Sequence, residues 1–135
     1  VAQYWLMKSE PDEYGWDDLV AEKEGTWDGV KNAQASNNMK MMKVGDQVFF
    51  YHSRQGLEIV GIMEVSEEKF PDPFDDTGRW IAVKVKPVRK LDKAVPLKEM
   101  KQNPKLENLA IIRQTRLSVA PVTSDEWEAI LTMAA

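Results

Sequence analysis

The chain has 135 residues, 43% hydrophobic and 30% charged, which fits one domain with one core, needing no disulfide or metal support. Cysteine is absent and His52 is the one histidine, which excludes thiol chemistry, disulfides and a histidine-rich metal cluster, and no cofactor is expected. A formal net charge of −4 argues against non-specific coating of nucleic acid, and no apolar run approaches the roughly 20 residues of a membrane span.

Tyr4 to Met7 is a short aromatic-rich run stopped by Ser9-Glu10-Pro11, which predicts a strand running into a turn. Gly15 to Glu22 predicts a short helix with an acidic first turn, ended by Gly25. Asn32 to Met42 predicts a second helix, capped by Asn32, with Ala33, Ala35, Met39 and Met42 on a ragged apolar face. After the Gly45-Asp46 turn, Gln47 to His52 and Glu58 to Phe70 flank Ser53-Arg54-Gln55-Gly56, the pattern of a hairpin. A turn-rich loop from Pro71 to Gly78 leads into Trp80 to Val88, where Ile81, Val83 and Val85 alternate with Ala82, Lys84 and Lys86. Val95 to Lys101 and Leu106 to Ile112 predict short helices, Arg116 to Val122 a last strand, and Ser124 to Leu131 a closing helix capped by Ser124. Antiparallel strands interleaved with short helices give an α+β domain whose sheet curls toward a small barrel.

Three clusters place a Trp or Tyr beside small polar or charged side chains: YWLMKSEPDEY, TWDGVKNAQASNNM and QVFFYHS. Such sets grip a flat, polar-edged ligand, with ring faces stacking and polar groups meeting the edge. Each residue also has a plain structural role. Trp27 is a cage wall or core, and Trp5, inside a strand, favours core. Ser9 and Glu10 bond a base edge or shape a turn, and Asn32 does the first or caps a helix. Strand alternation puts Tyr51 and Ser53 on one face and His52 on the other unless the strand bulges. That opposition disfavours a hydrolase with His52 as base for Ser53, no G-x-S-x-G elbow is present, and a hydrolase with His52 or Glu10 as base would need a neighbouring nucleophile and an oxyanion donor that the sequence does not display. Arg116 suits a phosphate, a base face or a surface ion pair. The basic stretches Lys40–Lys43 and Lys84, Lys86, Arg89 and Lys90 favour solvated surface.

With RQTRLSVAPVTSDEW near the end, the three clusters resemble the EVE domain family over nearly the whole chain and in the expected order. The resemblance implies a PUA-like fold, a small β-barrel or curled sheet with surrounding helices, related to the YTH readers of methylated RNA. It further implies a non-catalytic pocket for a modified nucleobase, a 5-substituted cytosine or a methylated adenine, in DNA or RNA. The candidate ligand-binding residues are Trp5, Lys8, Ser9 and Glu10 from the first cluster, Trp27, Val30 and Asn32 from the second, and Tyr51, His52 and Ser53 from the third, with Trp80 and Arg116. Gln34 and Ser36 depart from the family pattern, which often has an aromatic and a basic residue there. The alternative is a sensor of a free nucleobase or nucleoside. A monomer without metal, in the cytoplasm or nucleus, is expected.

Overall fold

A computed structural model describes residues 3–54 and 56–135. The strands are β1 (Tyr4–Ser9), β2 (Gly25–Trp27), β3 (Gln47–His52), β4 (Glu58–Pro71), β5 (Ile81–Pro96) and β6 (Val119–Val122). The helices are α1 (Trp16–Glu22), α2 (Ala33–Lys40), α3 (Leu97–Lys101), α4 (Ala110–Arg113) and α5 (Ser124–Met133), with a 3-10 turn at Pro104–Leu106. The strands form one sheet in the order β2-β5-β4-β3-β1-β6, curled but not closed, with β2 and β6 at its edges. Every pairing is antiparallel except β1 with β3. Parallel neighbours need a long crossover, and the stretch holding α1, β2 and α2 supplies it.

The α+β class and the mainly antiparallel sheet are those expected from the sequence, as is the β3–β4 hairpin; Gln55 in its connection lies outside the described residues. Val48 to Tyr51 are all buried, because β3 is covered on both faces. On one face Phe49 stacks on Trp127 of α5 at 3.8 Å between centroids; on the other Phe50 meets Trp16 and Trp27 edge-on at 5.7 and 5.5 Å. Gly61 of β4 makes room for this second layer, since a Cβ there would lie 2.6 Å from the Trp16 ring. Asp46, 2% exposed, accepts hydrogen bonds from the Gln3 and Lys43 amides and from Trp5 Nε1 at 3.0, 3.0 and 2.9 Å, so both of its buried oxygens have partners.

Several boundaries differ from expectation for local reasons. Asn32 caps α2 as expected, its Oδ1 accepting from Ala35 N–H at 3.0 Å. α1 ends at Glu22 with Lys23 as its C-cap, and Gly25 instead opens β2, a strand not expected. β5 runs on to Pro96 and excludes Trp80, whose N–H goes to the Asp75 carboxylate at 2.8 Å. The segment 106–112 is split because Leu109, at φ −57 and ψ 130, is not helical. β6 starts at Val119 rather than Arg116. Thr123, not Ser124, caps α5, in a capping box with Glu126. No helix among the described residues is long and apolar enough to cross a membrane.

Candidate functional site

The parallel pairing of β1 and β3 sets Ser9 opposite His52, and Ser53 N–H donates to Ser9 O at 2.8 Å. This register alone brings the first and third clusters together at one end of the sheet. β2, held on β5 through Trp27 and Val83, carries the second cluster to the same end. There Trp27 lies edge-on to Phe50 and to Tyr14, the latter at 6.3 Å. The three clusters line one cavity of about 1210 Å³.

Lys8, Ser9, Glu10, Trp27, Val30, Asn32, Tyr51, Ser53 and Arg116 all line this cavity. Trp5, His52 and Trp80 do not. The Trp5 indole is committed to Asp46 in the core. His52 turns to the opposite face of β3, as alternation requires, where its Nε2 accepts from Trp16 N–H at 3.2 Å. The bulge between Phe50 and Tyr51 does not bring it round. Trp80 lies under the Arg79 guanidinium at 4.6 Å, in the β4–β5 loop. Trp27, at 7% exposure, and Tyr51, at 2%, are packed walls rather than free rings, so Trp27 is both core and lining.

The polar groups divide into committed and free. Ser9 Oγ donates to Tyr14 O at 2.6 Å, Glu10 pairs with Arg54 at 2.9 Å, and Lys8 Nζ donates to Thr115 O at 3.0 Å while sitting 5.5 Å from the Tyr51 ring centroid. The Tyr14 hydroxyl donates to the Glu22 carboxylate. Asn32 spends its Oδ1 on the helix cap, and among the described residues its Nδ2, the Ser53 hydroxyl, the Tyr51 hydroxyl and the Asp28 carboxylate have no partner. Burial pushes the Tyr51 phenol up to about 12 and lowers Lys8 below its ordinary value. Burial, then the nearby Asp72 charge, raises the Asp28 carboxyl. These neighbours offer donors and acceptors to a planar ligand, and Ser53 and His52 point to opposite faces, so His52 is not placed as a base for the Ser53 hydroxyl. No metal-holding group of three or more His, Cys, Asp or Glu occurs among the described residues.

Of the cations on the lining, sequence reasoning marked Lys8 and Arg116 and missed Lys31, Arg54 and Lys101, as it missed the late residues Thr115 and Ser118. Lys31 stood inside the quoted second cluster and could have been marked. Lys101, in a short helix, gave no signal. The two basic stretches noted in the sequence lie elsewhere, and Lys86 there pairs with Glu64 at 3.3 Å.

The EVE domain model matches residues 3–133. Thymocyte nuclear protein 1 of Mus musculus is 33% identical, the match covering 98% of this chain and 74% of that protein. A crystal structure from Agrobacterium tumefaciens is 43% identical with a TM-score of 0.94, covering 99% of this chain and 94% of that one. The human THYN1 protein, solved in complex with 5-methylcytosine containing DNA, is 32% identical with a TM-score of 0.88, covering 98% of each chain. The YTH domain of Zygosaccharomyces rouxii MRB1, 15% identical over 98% of this chain and 86% of that one, shares the fold at a TM-score of 0.63. Matched by the family model over all but its first two and last two residues, the chain belongs to the EVE domain family.

Proposed function

We propose that the cavity binds one modified nucleobase, a 5-substituted cytosine or a methylated adenine, within DNA or RNA, and that the domain acts as a non-catalytic reader. The observation that carries this is the convergence of three sequence-distant aromatic and polar clusters on one cavity. The complex of a 32% identical relative with 5-methylcytosine containing DNA supports it. The volume of about 1210 Å³ exceeds the roughly 300–1,000 Å³ usual for a small-molecule site, and so favours a base with attached sugar and phosphate over a free nucleobase. Lys31, Lys101 and Arg116 on the lining suit those phosphates. The reader works as a monomer, in the cytoplasm or nucleus.

Fluorescence anisotropy with oligonucleotides that differ only in one central base tests the proposal. A single 5-methylcytosine or N6-methyladenine should tighten binding about fivefold or more over its unmodified parent, the scale of one well-placed apolar or hydrogen-bonded contact. Equal affinity for modified and unmodified strands would sink it.

A further inference from the structure

We propose that Asp28 makes the site select bases that carry an exocyclic amino group, the N4 of a cytosine or the N6 of an adenine, over bases with a carbonyl at that position. This deepens the modified-base reading and rests on it. Asp28 lines the cavity directly after the Trp27 wall, and its backbone is fixed on both sides by other groups. Before it, Trp27 is held by pairing with Val83 and by its ring contacts with Phe50 and Tyr14. After it, Gly29, at φ +74, donates its N–H to the Asp72 carboxylate at 2.8 Å. The Asp28 carboxylate takes no part in this: among the described residues it has no hydrogen-bond or ion-pair partner. It is an acceptor on a fixed stretch of backbone, left unused by the fold.

The other acids at the cavity are differently placed. Glu10 is neutralised by Arg54, and Glu13 is solvent-exposed on the turn before α1. Asp28 is half-buried, and its carboxyl, raised by burial and by Asp72, gains from a donor that would hold its charge. An ionised carboxylate only accepts. An amino group donates to it, whereas the O4 of thymine or uracil would bring two lone-pair-bearing oxygens together. 5-Methylcytosine and thymine carry the same methyl and differ at this group, so Asp28 would tell them apart.

The test uses the full chain and the Asp28→Asn variant with three oligonucleotides, identical except for 5-methylcytosine, N6-methyladenine or thymine at the centre. The wild type should bind its preferred amino base about tenfold or more tighter than thymine. Asn presents either an acceptor or a donor, so Asp28→Asn should weaken the amino base, strengthen thymine and bring the ratio to about threefold or less. Thermal unfolding of both proteins confirms that each is folded at the assay temperature. A ratio unmoved by the variant, or a loss shared equally by all three strands, overturns the role of Asp28 while the modified-base reading stands if modified strands still beat their parents. If the wild type prefers no modified strand, both fail.

Discussion

His52 shows how a suggestive residue can be spent on the fold. Its Nε2 accepts from Trp16 N–H, its ring meets Phe50 edge-on, and it ties β3 to α1 behind the cavity rather than inside it. Burial, first among the influences on it, lowers its pKa below the ordinary 6.5, with Lys90 acting the same way and Glu58 and Asp17 opposing. The neutral form is favoured by folding. The unfolded chain therefore takes up a proton at a pH where the folded chain does not, and stability, complete above about 6.5, is lost as pH falls through the lowered value. The melting temperature should drop between pH 7 and pH 5, and His52→Gln, which keeps an acceptor without a titrating ring, should shrink that drop while costing about 1 kcal/mol or less at pH 7. Asp28, with its raised carboxyl, contributes with the opposite sign, so the difference between wild type and variant is the quantity to measure. An equal drop in both would remove His52 from the acid response.

At the scale of elements, the β4–β5 loop does more than connect. Asp72, 4% exposed, accepts from the Gly29 and Phe74 amides, both at 2.8 Å, and so moors the loop to the lip of the cavity. Asp72→Ala would leave two amides without their acceptor, at a cost of about 2–3 kcal/mol. Because Gly29 lines the cavity, base affinity per folded molecule should fall as well, as titration at a temperature where the variant is fully folded would show. Retained affinity would make the mooring purely structural. The same region marks what the sequence could reveal. The alternation of branched residues with Ala82 and Lys84 from Ile81 to Val85 identified β5, although Ala82 is buried together with Val83 and Val85. β2 is three residues long and exists through its pairing with β5, a non-local cause that Gly25-Thr26-Trp27 does not display. The α5 cap was legible: Thr123 and Glu126 are spaced as a capping box, and Ser124, one residue later, is the first residue of the helix rather than its cap.

For the whole molecule, a net charge of −4 hides a local excess of cations at one cavity. Lys8 and Arg54 are committed to Thr115 O and Glu10, while Lys31, Lys101 and Arg116 have no partner among the described residues and on the proposed reading meet phosphates. These positions are scattered along the chain, so no run of basic residues announces them; the aromatic clusters were readable because each is contiguous. Three neutralised phosphates on a single strand give a log–log salt slope of about −2, and Lys31→Ala should flatten it by about 0.7. A slope near zero would instead point to a free base as ligand. The placement of β1 between β3 and β6 has a consequence in time. Tyr4 pairs with Val122, Lys8 N–H donates to Ser118 O, and the cavity draws its lining from Lys8 through to Ser118. β1 must therefore wait for β6, the last strand of the described sheet: a nascent chain that has not yet released Ser118 to Val122 has an unpaired β1 flank and no finished cavity. On the proposed reading, ligand capture thus reports that the chain from β1 through β6 has been made and folded, and a chain arrested before β6 has no finished cavity with which to compete for the same bases.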